Sequence, residues 1–243
     1  MKLLSTFCGA AALIAMTSIA PSALAAPILG WSGEAAVTGS KTTGNTETTD
    51  LGVNLKLKRE FGDFRHKFKG RFDYGKNKGN RNKQRLGLGY QVERDVSERL
   101  FILGTADYFQ DDFGAFEEGY YVGAGFGYKV LMNDPTQWDL SGGIGYREQT
   151  PQNETTPAKE EVALQLRSDF DHALNDAVSI YNNTELLHSK SDTYIWNEIG
   201  LNAKLMGDLA ARISYRIDNH STVPAGRKKT DTITRIGVVY KMK

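Results

Sequence analysis

Lys56, Lys58, Arg65, Lys67, Lys69 and Arg71 recur at intervals of two within two neighbouring segments of the chain. In extended backbone that spacing places side chains on one face, so the six cations would form a single basic wall, with Arg85 following on the next segment. A wall of this kind attracts anions but supplies neither a nucleophile nor a proton relay. Acids predicted for the same face are dispersed: Glu93, Asp107, Glu161, Asp169, Glu185, Glu198, Asp218 and Asp231, with Arg147, Arg167, Arg212, Arg216 and Arg235 among them. Two readings stay open: a transverse field across a water-filled pore that favours anionic or zwitterionic solutes, or a lumen plugged by salt-bridged side chains.

Other residues with reactive chemistry are less organised. His188 and His220 lie near Ser189, Asp192, Asp218 and Ser221, whereas His66 falls on the opposite parity of a basic strand and His172 in a short turn. No nucleophile motif accompanies them, so catalysis is not expected; a hydrolase with its site at an external rim is the weaker alternative. Asp111-Asp112 and Glu117-Glu118 match no calcium-loop spacing, so neither a metal nor a cofactor is expected. Gly87/Gly89, Gly123/Gly125/Gly127 and Gly143/Gly145 fall within strand patterns with no helix following, which excludes a dinucleotide motif. They leave space beside long basic side chains, or they permit strand bending. Basic loop residues Lys76, Lys78, Arg81 and Lys83, with Arg227, Lys228 and Lys229, suit contacts with lipopolysaccharide phosphates.

The elements that must carry these groups are strands. From Phe64 to Tyr74 aromatics at 64, 68, 72 and 74 alternate with charges at 65, 67, 69, 71 and 73. About twelve such segments follow one another, most near the 9–11 residues of a tilted membrane strand. Apolar sets such as Leu51/Val53/Leu55/Leu57 and Ile236/Val238/Tyr240 would face lipid. Three segments are less clear: Trp31 to Ser40 is rich in Gly and Ala, Leu100 to Gln110 is apolar on both parities, and Ala177 to His188 mixes its faces. Short turns at 61–63, 95–98, 132–137, 171–176 and 206–208 alternate with longer polar loops at 76–82, 149–159 and 221–229 and shorter ones near 41–45, 111–117 and 189–192. That alternation is the pattern of a barrel with turns on one side of a membrane and loops on the other. Aromatics near strand ends, including Tyr108, Phe113, Tyr120, Tyr146 and Tyr194, suit interfacial girdles. A secreted β-sandwich or lipocalin-like barrel would alternate equally well, but with shorter strands.

Residues 1–25 read as a cleaved signal peptide, with Lys2, an apolar stretch and Ala23-Leu24-Ala25 before the cut. Cleavage would remove one Lys and no acid, taking the formal charge from +1 to zero, and with it the one cysteine, Cys8. Balanced charge gives no reason to expect a nucleic-acid partner. Mean hydropathy is −0.43, too low for a helical membrane protein but compatible with half-apolar strands.

Trp31-Ser32-Gly33, Gly39-Ser40 followed by Gly44-Asn45-Thr46, the basic strand ending in Tyr74, and Thr230-Asp231-Thr232 with Gly237 and Tyr240 resemble the YdiY-type "salt-induced outer membrane protein" family. The resemblance spans the mature chain and implies an outer-membrane β-barrel linked to salt, osmotic or envelope stress. The family has no established activity. The expectation is therefore an all-β protein: residues 26–243 form one up-and-down antiparallel transmembrane barrel of about twelve strands in the bacterial outer membrane, with both termini periplasmic. Its partners would be outer-membrane lipid and lipopolysaccharide, the barrel assembly machinery and small anionic or zwitterionic solutes. Its role would be that of a narrow passive channel, or alternatively a sealed structural barrel. The strand ending Tyr240-Lys241-Met242-Lys243 departs from the aromatic terminus common in such barrels, while Met242 keeps the outward parity.

Overall fold

A computed structural model describes residues 30–43, 48–77, 80–152 and 157–242. The expected signal peptide, Lys78 and the middle of the 149–159 loop lie outside the described residues. Twelve strands follow in order: β1 Ser32–Thr43, β2 Thr48–Phe61, β3 Phe64–Asn77, β4 Asn80–Asp95, β5 Leu100–Asp111, β6 Phe116–Asn133, β7 Thr136–Pro151, β8 Lys159–Ala173, β9 Val178–Ser189, β10 Thr193–Met206, β11 Leu209–His220 and β12 Thr230–Met242. Each pairs antiparallel with its sequence neighbours, and β1 pairs with β12 from Gly33↔Met242 to Thr43↔Thr232, so the sheet closes into a barrel. Closure removes both free edges, and every strand finds its ladder partners within the sheet.

The strands hold 12 to 18 residues, longer than expected. A bilayer's hydrocarbon needs about ten tilted residues, so the surplus projects beyond it. Predicted loops shrink accordingly. The 76–82 loop is largely strand, with Asn77 paired to Asn80, and β7 runs to Pro151 before β8 starts at Lys159. At the opposite end the turns stay tight, with Gly62 and Gly207 in left-handed conformations at φ 58° and 56°. Gly33 and Met242, the described ends of the seam, lie at this turn end.

Alternation sorts the side chains. Val53, Phe72, Val122, Phe126, Ile144, Val162, Ile199 and Ile236 are exposed on the outer surface, while charged residues of the opposite parity are buried inside. A surface so apolar is solvated by hydrocarbon, not water, whereas the buried polar interior would be a poor core for a soluble sandwich. Tyr108, Tyr120 and Tyr146 direct their hydroxyls to Glu118, Glu148 and Glu160 near the loop end, as a girdle at a polar boundary would. The segment apolar on both parities is β5, where Phe101 and Leu103 turn inward and are buried.

Glycines on the inner face mostly serve close approach. A Cβ on Gly127 would lie 2.0 Å from the Phe101 ring, and one on Gly200 2.3 Å from the Tyr181 ring. These rings cover the glycine backbone of the adjoining strand, a device that supports strongly coiled sheets. Gly87 differs: the nearest atom to its Cβ position is Arg71 Cβ at 4.0 Å, so here the missing side chain does leave room.

Candidate functional site

The barrel interior holds a cavity of about 350 Å³ that runs from mid-height to the loop end. Its lining includes ten Lys or Arg residues and six Asp or Glu residues, an excess of positive charge. Gly87 on β4 leaves part of the space, and arginines from β3, β4, β7, β8, β11 and β12 reach into it.

The predicted wall is real as geometry: Lys56, Lys58, Arg65, Lys67, Lys69 and Arg71 share the inner face of β2 and β3. Five of the six are paired with carboxylates. Lys56 meets Glu34 at 3.2 Å, Lys58 meets Glu60 at 3.0 Å, Arg71 meets Asp73 at 2.7 Å, and Arg65 and Lys67 both meet Glu93 at 2.5 Å. Glu93 is only 1% exposed, so two cations hold one buried carboxylate. Lys69 differs, with no carboxylate within 4 Å among the described residues, and it lines the cavity. Arg71 Nη2, Tyr121 Oη and Arg235 Nε on the same lining are buried without a hydrogen-bond partner. The carboxylate oxygen Asp73 Oδ1, beside Arg71 and Arg235, is likewise buried without a partner, so donors and an acceptor are left unsatisfied together in this part of the wall.

Cross-braces narrow the lumen. Arg167 on β8 donates to Asp107 at 2.6 Å and Glu185 at 3.0 Å, and also to Gln91 on β4 at 2.6 Å. Arg212 on β11 makes a two-pronged bond to Glu34 on β1 at 2.9 and 2.7 Å and stacks over Tyr181. Arg235 on β12 reaches Asp73 on β3 at 3.5 Å and Glu198 on β10 at 3.4 Å. At the turn end, the Arg65 guanidinium lies over the buried Phe101 ring, and Lys129 reaches Asp95 at 2.8 Å.

The loop-end mouth is partly covered. The segment joining β5 to β6 turns inward, burying Ala115 and Phe116, and Phe116 packs on His220 with ring centres 5.3 Å apart. Arg227, between β11 and β12, donates to the Phe113 carbonyl at 3.1 Å, which ties the segments together. His220 also stacks on Tyr194 at 4.5 Å. Its Nδ1 lies 2.7 Å from Asp192, which Arg147 approaches at 3.3 Å and the Thr222 backbone N–H at 3.1 Å. Burial alone would raise the Asp192 carboxyl, but His220, Thr222 and Arg147 outweigh it and hold it at about 2.

Several expectations change at this mouth. Lys83, expected among outward loop cations, is 2% exposed: β4 already begins at Asn80, and Lys83 shares the inward parity of Arg85. Arg81 donates to Gln84 and lies over Phe113, while Lys76, Lys228 and Lys229 are exposed. Phe113 and Tyr194, expected in an interfacial girdle, belong to the mouth and the inner wall. Asp192 and His220 reproduce the orienting half of a hydrolytic triad, but the serines are engaged elsewhere: Ser189 Oγ donates to the Asp192 carbonyl and Ser221 Oγ to its carboxylate. His188 is bonded to Thr193 on the exposed side. Asp111 and Asp112 bind Arg85 and Arg81, and among the described residues no group of three or more His, Cys, Asp or Glu could hold a metal.

The profile of the family described as "Protein of unknown function, DUF481" matches residues 35–242. No curated protein matches the sequence. Among solved structures, the NanC porin shares 12% identity over 85% of this chain and 99% of its own, with a TM-score of 0.58. The translocator domain of the autotransporter NalP from Neisseria meningitidis shares 12% identity over 87% and 88%, at 0.49. The KdgM porin in complex with disordered oligogalacturonate shares 12% over 84% and 98%, at 0.44. The first likeness is one of fold: a porin-like twelve-stranded barrel.

Proposed function

Because the chain belongs to the DUF481 family, the YdiY-type outer-membrane group, we propose that it is a passive outer-membrane conduit for small anions, entered from a basic vestibule. The observation that carries this reading is the cavity lined by ten cations and six acids, with no carboxylate within 4 Å of Lys69 among the described residues. Field lines in a narrow, low-dielectric tube concentrate anions at such a surplus. The chain would be exported by its signal peptide and inserted by the barrel assembly machinery, with the turn end and both termini in the periplasm. Lys76, Lys228 and Lys229 at the exposed rim would meet lipopolysaccharide phosphates. The role is transport without catalysis, in salt, osmotic or envelope stress, as the family resemblance implies.

Planar-bilayer conductance of the purified protein is the direct test. Anion-selective steps, with selectivity moving toward cations in Lys69→Glu, support the conduit; conductance indifferent to that change removes Lys69 from the path. The sealed reading has its own support in the Arg167–Gln91 brace across the lumen. Absence of conductance at every voltage would favour it.

A further inference from the structure

β9 carries a polar island on the outer, lipid-facing surface. Outward positions along it run Val178, Ile180, Asn182, Thr184, Leu186 and His188, so two polar residues interrupt an apolar stripe at mid-height. Asn197 faces outward beside them on β10, and Ser168 on β8 accepts from Trp138 Nε1 at 3.0 Å. Leu164, Leu166 and Ile195 are exposed on the loop side of the island, and Ile199 and Leu201 on the turn side. It therefore lies within the apolar band, not at a polar boundary.

Hydrocarbon offers no hydrogen bonds, so amide groups at this depth need protein partners. Part of the need is met internally. Asn182 and Asn197 exchange amide hydrogen bonds at 3.3 and 3.0 Å, Asn197 Nδ2 donates its other hydrogen to Thr184 Oγ1 at 2.7 Å, and Thr184 donates to Asn182 Oδ1 at 3.3 Å. An amide has two donor hydrogens and two acceptor lone pairs. The inventory leaves one N–H on Asn182 and one lone pair on Asn197 unused. An amide pair with one spare donor on Asn182 and one spare acceptor on Asn197 is its own complement under a two-fold axis, where each copy's Asn182 donates to the other's Asn197.

We propose that this island is the centre of a two-fold interface, within the membrane, between two copies of this chain. The exposed Leu164, Leu166, Ile195 and Ile199 around it supply the packing rim. The interface lies outside the lumen and is independent of any conduit role.

Oxidative cross-linking in native outer membranes tests it. A Thr184→Cys variant in a Cys8→Ser background is expected to give a disulfide-linked species of twice the chain mass, while Val53→Cys, on β2 away from the island, stays single. The double variant Asn182→Leu/Asn197→Leu should keep the heat-dependent gel shift of a folded barrel yet run as a monomer in light scattering. If Thr184→Cys impairs folding, Ile195→Cys on the rim replaces it. A wild-type chain that is monomeric in membrane nanodiscs, a Thr184→Cys chain that stays unlinked while folded, or a cross-link to a protein of another mass would each overturn the proposal.

Discussion

Arg167 on β8 and Gln91 on β4 are hydrogen bonded at 2.6 Å across the lumen, although three strands separate them around the wall. The same guanidinium satisfies Asp107 and Glu185, so one side chain fixes the bore at mid-height. Removing it in Arg167→Ala leaves two carboxylates without their cation. The expected outcome is a loss of about 3 kcal/mol, read as a lower urea midpoint, together with larger conductance steps of reduced anion preference.

The mouth should respond to acid. Asp192 is held at about 2 by His220, Thr222 and Arg147, below the ordinary carboxylate value of 3.8. A carboxyl depressed in the folded state contributes stability above its unfolded value, and that contribution disappears as pH falls through the folded one. The contribution, about 2 kcal/mol, is therefore present above roughly pH 4 and lost on descending toward pH 2. Thermal unfolding across this window should steepen in wild type and flatten in Asp192→Asn. Equal slopes would show that Asp192 does not titrate differently in the two states.

Phe116 closes part of the vestibule by packing on His220. Phe116→Ala should cost about 3 kcal/mol or less, because the ring lies at a loop and not in a uniformly packed core. It should also raise single-channel conductance; an unchanged current would mean that the narrowest level lies deeper, at the Arg167 brace.

Two glycines on the inner face separate packing from space. Gly127→Ala forces a methyl against Phe101 and should destabilise by about 1–3 kcal/mol, whereas Gly87→Ala meets only Arg71 Cβ and should fold normally. Denaturant midpoints of the two variants decide this. Similar losses would show that Gly87 also serves the bend of the sheet.

How far the sequence disclosed this molecule depended on the range of the interaction. Period-two alternation on β3 and the tight turns at Gly62 and Gly207 are local signals, and they located strands and faces directly. The pairing of Lys67 and Arg65 with Glu93 crosses to a neighbouring strand, and Arg167 with Gln91 joins residues 76 apart; no periodicity encodes such a pairing. The place of Phe113 at the mouth, beside the buried Phe116, is hidden because a rim aromatic reads the same whether it meets lipid or covers a mouth. On β9, Asn182 and Thr184 blurred the alternation because they face outward where an isolated strand should be apolar. Lys83 reads as a loop cation because polar composition at 76–83 mimics a loop, although the ladder runs through most of it.

The seam between β1 and β12 joins residues roughly 200 positions apart, which sets the order of assembly. Local hairpins can zip as soon as each turn forms, but this ladder has to wait for all the others. Until then the growing sheet carries two open edges, each able to template a foreign strand. The interval before closure is thus the hazardous phase of this protein's biogenesis, and a helper that shields or aligns those edges would act on β1 and β12 rather than on the lumen that the finished barrel encloses.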